Sequence, residues 1–130
     1  MTTRSQQAAD RKRSGQFNCA QAVACTFADI SPLDPSTIAA ATSAFGTGMG
    51  TMDGTCGALT GAGVILGLKI NDRVAARAAM KRLMARFEQK NGATICRQLK
   101  GIDTGTPLRD CNGCCADAAL FLEEELDKLP

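Results

Sequence analysis

The chain has 130 residues, a length that fits one domain with a hydrophobic core. It contains no histidine, tryptophan or tyrosine, and its 15 basic and 13 acidic residues give a net charge of +2. This composition excludes histidine-based acid–base catalysis, histidine metal ligands and histidine-ligated haem, and it gives no indication of nucleic-acid binding.

Helical patterns dominate the first third of the chain, and no strand pattern or internal repeat is present. Apolar residues at three- and four-residue spacing predict a first helix over residues 4–29. Asp34-Pro35 combines a good N-cap with proline at the first helical position, which predicts the start of a second helix. We expect this second helix to end at Gly46.

A glycine-rich loop, Gly46–Gly54, leads directly into the most apolar segment of the chain, residues 56–70. Thr55 is a suitable N-cap, so Cys56 is expected near the first helical position, where free N–H groups and the helix dipole favour a thiolate. The loop contains GTGMG, but no strand precedes it and no Lys-Ser or Lys-Thr follows it, so nucleotide binding is not favoured. We expect the loop to wrap around a site at Cys56.

The second half of the chain predicts three further helical segments, at residues 72–89, 94–99 and about 110–128. Asn71-Asp72 marks the start of the first of these segments, and Asn91-Gly92 closes it. The segment at 94–99 carries Cys96. The stretch between the last two segments is a loop, because it is rich in glycine and small polar residues.

These elements predict an all-α fold, a compact bundle of about five helices with a Gly-rich loop before a central buried helix. We expect one domain over residues 1–130, frayed at residues 1–10. The polar start does not resemble a signal peptide, and the apolar run at 56–70 is too short to span a membrane. A cytoplasmic protein without membrane insertion is therefore expected. The glycines of the central helix serve either tight packing or a homodimer contact.

Seven cysteines carry the candidate chemistry, and an odd number cannot all pair within one chain. Cys111 and Cys114 form a Cys-x-x-Cys motif at a predicted helix start, which suits a disulfide or a metal ligand pair. The surrounding pattern lacks the βαβ unit of thioredoxins, the histidine of c-type haem sites and the second motif of zinc ribbons. Cys25 and Cys115 lie on apolar helical faces and are expected to act as small hydrophobes.

Four segments with a cysteine each follow one another in a distinctive order: Phe17–Val23 (FNCAQAV), Cys56–Gly61 (CGALTG), Cys96–Leu99 (CRQL) and Cys111. This ordered set resembles the C-GCAxxG-C-C family of redox-active proteins. The resemblance implies a redox or electron-transfer role, with Cys114 matching the Cys-x-x-Cys version of some members. It makes the signature cysteines Cys19, Cys56, Cys96 and Cys111. Related domains accompany haem and iron–sulfur centres, but the haem attachment pattern is missing here, so no haem is expected.

Two classes of function follow, and a third is weaker. In the first, Cys56, Cys111 and Cys114 are the catalytic thiols of a dithiol/disulfide system. Cys111 and Cys114, or Cys56 with one of them, cycle between thiol and disulfide, and the thiolate of lowest pKa attacks. In the second, an iron–sulfur cluster or a metal ion such as zinc is bound by Cys56, Cys96, Cys111 and Cys114, or by Cys19 in place of one. The third is a structural or partner-binding protein with incidental thiols.

The redox hypotheses imply a reaction partner. We expect a redox partner protein or a small-molecule oxidant or reductant, with the chain acting as an oxidoreductase-type accessory or electron-transfer protein. Neither nucleic acid nor a membrane is expected as a partner.

Overall fold

A computed structural model describes residues 2–130, which form an all-α fold. Seven α-helices make up most of it: α1 (Arg4–Arg13), α2 (Cys19–Thr26), α3 (Pro35–Thr42), α4 (Gly57–Ile70), α5 (Arg73–Asn91), α6 (Cys96–Lys100) and α7 (Cys111–Asp127). A 3₁₀ turn at Ala28–Ile30 and a short helical turn at Gly46–Met49 lie between them. The all-α prediction is confirmed, although the helices are more numerous than the five or so expected.

The prediction of one helix over residues 4–29 is wrong, because the chain breaks between α1 and α2. Gly15 has a φ of 79°, a left-handed conformation that ends the first helix. Asn18 then caps α2 in a reciprocal arrangement: its side chain accepts the N–H of Gln21 at 2.8 Å, and the Gln21 side chain accepts the N–H of Asn18 at 2.9 Å. The break moves Cys19 from the interior of a long helix to the first position of a short one.

Two further boundaries differ from those predicted. α3 begins at Pro35 as expected but ends at Thr42 rather than at Gly46, because the chain next enters a turn that is not a regular right-handed helix. Cys56 is the N-cap of α4 in place of Thr55, which forms an isolated antiparallel bridge instead. α5 follows its sequence signals closely, with a capped start and a left-handed glycine after its last residue.

α4 occupies the centre of the bundle and packs against α2, α5 and α7. Its contact with α2 requires a glycine, since a Cβ at Gly61 would lie 2.4 Å from the carbonyl oxygen of Ala20. α1 runs along α7, where Ser5 Oγ donates to the carbonyl of Ala116 at 2.8 Å. Among residues 2–130, no helix has the length and apolar character needed to span a membrane. The bundle thus holds the starts of α2, α4, α6 and α7 close to one another.

Candidate functional site

Five cysteines from four separate segments line one small cavity, and they are Cys19, Cys56, Cys96, Cys111 and Cys114. Its volume is about 10 Å³, close to that of a single water-sized sphere. The structure therefore brings together all the cysteines that the sequence indicated as site residues. Cys25 lies elsewhere, in a surface groove that Arg11 also lines.

The four signature cysteines all sit at the start of a helix. Cys56 is the N-cap of α4, and the other three are the first residues of their helices: Cys19 in α2, Cys96 in α6 and Cys111 in α7. Unpaired N–H groups and the positive end of the dipole make such positions favourable for negative charge. The helix starts that converge here thus create an environment suited to thiolates.

Backbone hydrogen bonds fix Cys56 and Cys96 side by side. The N–H of Cys56 donates to the carbonyl of Thr94 at 2.8 Å, and the N–H of Cys96 donates to the carbonyl of Gly54 at 3.0 Å. These two bonds join the end of the glycine-rich loop to the segment before α6. The loop and α6 therefore form one supporting unit for both sulfurs.

The glycine-rich loop contains a left-handed turn that lies directly on Cys96. Residues 47–50 all have positive φ angles, of 55°, 56°, 63° and 78°. A left-handed conformation costs roughly 1–2 kcal/mol for each residue other than glycine, so surrounding contacts must hold it. One is the N–H of Arg97, which donates to the carbonyl of Met52 at 2.7 Å. At Gly48 a Cβ would lie 2.5 Å from the Cβ of Cys96, so a side chain is excluded.

The cavity thiols form two interacting pairs, with Cys96 beside them and Cys115 also in contact with Cys19. One pair is Cys56 with Cys114, and the other is Cys19 with Cys111. Four of these cysteines are buried, with at most 8% of their surface exposed, whereas Cys111 is only partly buried. All seven cysteines of the chain are free thiols.

The two members of the Cys56–Cys114 pair have opposite pKa shifts. The hydrogen bond from Cys114 lowers the pKa of Cys56, and although burial opposes this effect, the N–H groups of Ala58 and Leu59 add to it. Cys114 has a raised pKa, because its proton is held in the hydrogen bond to Cys56 and because it is buried. Cys56 is therefore the more readily ionised thiol of this pair, and Cys114 donates the hydrogen bond to it.

The remaining cavity thiols all have raised pKa values. The hydrogen bond from Cys111 lowers the pKa of Cys19, but the hydrogen bond with Cys115 and burial outweigh it and raise this pKa to about 12. The hydrogen bond to Cys19 and burial raise the pKa of Cys111. Burial raises the pKa of Cys96. Cys56 is thus the cavity thiol whose surroundings favour the ionised form.

Residues 17–125 match a family described as "Putative redox-active protein (C_GCAxxG_C_C)". The chain belongs to this family. No curated protein and no solved structure matches the chain. The resemblance seen in the sequence is confirmed, and membership of the C-GCAxxG-C-C family assigns the chain to redox-active proteins.

Three cavity neighbours lie outside the C-GCAxxG-C-C signature, and the sequence did not identify them as site residues. Cys115 is fully buried, as expected of a small hydrophobe, but its Sγ also donates to the carbonyl of Cys19 at 3.8 Å. The sequence feature that could have identified Cys115 as a cavity neighbour is its position directly after Cys114. Lys100 and Arg109 line the cavity from either end of the loop between α6 and α7. These two residues line the cavity because of the way the loop folds, which no local sequence pattern predicts.

The thiols do not have the geometry of a formed metal site. A structural zinc ion or an iron–sulfur cluster needs three or four ligands around one point. Within residues 2–130, no three histidine, cysteine, aspartate or glutamate side chains are placed to hold a metal ion. The set that the sequence suggested for a metal site, Cys56, Cys96, Cys111 and Cys114, shares a cavity, but within it Cys56 interacts with Cys114 and Cys111 with Cys19. Paired thiols suit disulfide formation better than metal coordination.

Proposed function

We propose that the chain is a thiol–disulfide exchange protein and that Cys56 and Cys114 form its reactive pair, the inner dithiol. One observation carries the proposal: Cys56, at the start of α4, lines the same small cavity as Cys114, whose thiol lowers the pKa of Cys56. A thiolate attacks a disulfide far faster than a thiol does. Cys56 therefore acts as the nucleophile, and the adjacent Cys114 acts as the thiol that resolves the mixed disulfide.

The exchange proceeds in two displacement steps. The Cys56 thiolate attacks one sulfur of a disulfide, which forms a mixed disulfide and releases the first thiolate. Cys114 then gives up its proton and attacks the sulfur of Cys56, which closes the Cys56–Cys114 disulfide and releases the second thiolate. Two cysteine thiols are oxidised, one disulfide is reduced to two thiols, and the protons pass to the leaving groups. The reverse sequence reduces the protein.

Peptide mapping of the oxidised protein tests this proposal. Reduced protein is treated with excess glutathione disulfide, alkylated and digested, and the linked peptides are identified by mass spectrometry. We expect a Cys56–Cys114 link in the wild type, Cys56 trapped in a disulfide with glutathione or with another cavity cysteine in Cys114→Ser, and no oxidation of Cys114 in Cys56→Ser. Cys25→Ser is the matched control and should behave as the wild type. Oxidation of Cys114 in Cys56→Ser at the wild-type rate would contradict the proposal.

A cysteine-ligated iron–sulfur cluster or zinc ion is the second candidate. It is favoured by one observation, the meeting of the four signature cysteines, each at a helix start, at one cavity. Protein purified without oxygen and without a metal-affinity column distinguishes the two candidates through its absorption spectrum and metal content. The dithiol proposal expects a colourless protein whose thiols disappear in pairs on oxidation. A brown protein with iron and acid-labile sulfide, or one with stoichiometric zinc, would overturn it.

A further inference from the structure

The inner dithiol is not in contact with solvent. Cys56 is 5% exposed and Cys114 is 3% exposed, so a disulfide in solution cannot approach either sulfur in line. Cys111 is the one residue among the five cavity cysteines that is not buried. It begins α7 and stands three residues before Cys114, on the same face of that helix. Any external reactant therefore meets Cys111 first.

We propose that Cys111 and Cys19 form an outer dithiol through which an anionic low-molecular-weight disulfide exchanges electrons with the inner dithiol. This inference rests on the proposed function and adds a route and a substrate class to it. The outer pair is suitably placed, because Cys19 and Cys111, each the first residue of a helix, line the same small cavity as Cys56 and Cys114.

Two lysines beside Cys111 carry the argument for an anionic reactant. Lys12 of α1 and Lys100 of α6 both act electrostatically on Cys111, and both are half-buried. Neither has an ion-pair partner within the described chain, residues 2–130. Arg109 also lines the cavity, but its charge is taken up by the buried carboxylate of Asp117 at 3.1 Å. The ammonium groups of these two lysines, which have no ion-pair partner within residues 2–130, would attract a reactant that carries carboxylates.

The nearby acids do not cancel these two cations. Asp110 is exposed, and its side chain accepts the N–H of Gly113 as the N-cap of α7. Asp10 of α1 is paired with Arg13 at 2.6 Å. A small disulfide is favoured over an acidic protein, because a single partly buried sulfur is accessible at the cavity and its four neighbours are enclosed.

Each step of the relay exchanges one thiol for another within a disulfide, so thiols and disulfides balance. Cys111 gives up its proton to solvent, attacks the external disulfide and releases one thiolate, and Cys19 then loses its proton, attacks the sulfur of Cys111 and releases the second thiolate. The Cys56 thiolate next attacks Cys111 and releases Cys19, and Cys114 attacks Cys56 and releases Cys111. The outer pair is thereby reduced again and the inner pair oxidised. A second external disulfide can then oxidise the outer pair, so the fully oxidised site contains two disulfides and the fully reduced site can donate four electrons.

The route is tested by following the rate at which the Cys56–Cys114 link forms in the presence of glutathione disulfide. We expect Cys111→Ser to slow this rate by at least about tenfold, whereas Cys25→Ser, the matched control, leaves it unchanged. Cys19→Ser should accumulate a mixed disulfide on Cys111, which shows that the variant folds and that Cys111 reacts first. A wild-type rate in Cys111→Ser would overturn the outer-dithiol route while leaving the proposed function intact. Absence of the link in the wild type would instead refute the proposed function.

The substrate class is tested by comparing two disulfides of opposite charge. In Lys12→Gln/Lys100→Gln the reaction with glutathione disulfide should slow by about tenfold, and the reaction with cationic cystamine should not slow. The matched control, Lys69→Gln/Lys81→Gln, removes two exposed lysines and should change neither rate. Equal slowing with both reagents would overturn the anionic assignment. A wild-type protein that reacts no faster with glutathione disulfide than with cystamine would do the same.

Discussion

The carboxylate of Asp117 in α7 is almost completely buried, and it is paired with cations from other parts of the chain. Asp117 accepts from Lys90 at 2.6 Å, from Arg109 at 3.1 Å and from Asn91 at 3.2 Å. Burial alone would raise the pKa of Asp117, but these hydrogen bonds outweigh it and hold the pKa below its ordinary value. Since Arg109 also lines the cysteine cavity, Asp117 helps to position a wall of the site.

Asp117→Asn should destabilise the protein in a pH-dependent way. At neutral pH we expect a loss of about 2 kcal/mol in the free energy of unfolding, because the cations lose their buried counter-charge. The folded pKa lies below the unfolded value of about 3.9, so ionised Asp117 stabilises the protein above that pH. This contribution is lost as the pH falls through the folded pKa, and the difference between variant and wild type should narrow from about pH 4 to about pH 2.

Urea unfolding over this pH range measures the effect. Asp53→Asn is the matched control, because Asp53 also pairs with an arginine but is 70% exposed. Its loss should remain below about 1 kcal/mol. A pH-independent loss in Asp117→Asn, or equal losses in both variants, would contradict the role assigned to the buried carboxylate.

At the scale of single helices, the glycines of α4 play different roles. A Cβ at Gly61 would lie 2.4 Å from the backbone of α2, whereas one at Gly67 would meet no atom within 4 Å. We therefore expect Gly61→Ala to destabilise the protein by about 1–3 kcal/mol through overpacking. Gly67→Ala should stabilise it by up to about 1 kcal/mol through helix propensity. Chemical denaturation of both variants measures these changes, and the same sign for both would be inconsistent with this packing.

Gly61→Ala should also disturb the cysteines. Gly61 contacts Ala20, which directly follows Cys19, so a forced shift of α2 moves the outer dithiol away from the inner one. Faster alkylation of the buried Cys56 in Gly61→Ala than in Gly67→Ala would show this shift. The alternative use of these glycines as a homodimer contact is not needed to explain Gly61, since contact with α2 already requires it.

The helix boundaries that could be predicted are those set by local chemistry. Asp72 and Gly92 determine the ends of α5 through a side-chain cap and a left-handed glycine, and both effects are visible in the sequence. The break before Cys19 was missed because a single glycine, Gly15, marks it, and a single glycine inside a helical pattern is often tolerated. The left-handed conformation of Thr47 was also missed, since it depends on contacts with the distant α6 rather than on the residue type.

At the scale of the whole molecule, the sequence and its family resemblance identified which cysteines belong together but not how they pair. The sequence left two pairings open, Cys111 with Cys114, which are neighbours along α7, or Cys56 with one of them. In the structure Cys111 interacts with Cys19 of α2, and Cys114 interacts with Cys56 at the start of α4. Pairing between helices depends on how α2, α4 and α7 cross, and no local pattern encodes that crossing. The same holds for Lys12, which reaches Cys111 only because α1 lies along α7.

Pairing between helices makes the stability of the molecule depend on its redox state. A Cys56–Cys114 disulfide joins the start of α4 to α7 and closes a long loop, which the chain-entropy model values at about 4 kcal/mol. We therefore expect oxidised protein to resist urea more than reduced protein, with a rise of a few kcal/mol in the free energy of unfolding. A Cys111–Cys114 disulfide closes only one helical turn and should leave this free energy almost unchanged.

Urea unfolding with and without a reductant measures the difference. In Cys56→Ser/Cys114→Ser the rise in the free energy of unfolding on oxidation should disappear, because the inner disulfide cannot form. In Cys25→Ser this rise should persist in full. If oxidised wild type unfolds at the same urea concentration as reduced wild type, the disulfide formed is the one within α7 and the pairing proposed here is wrong. An increment that survives in Cys56→Ser/Cys114→Ser but is lost in Cys19→Ser would instead mean that the link is confined to the outer pair, because that pair also joins two helices distant in the chain.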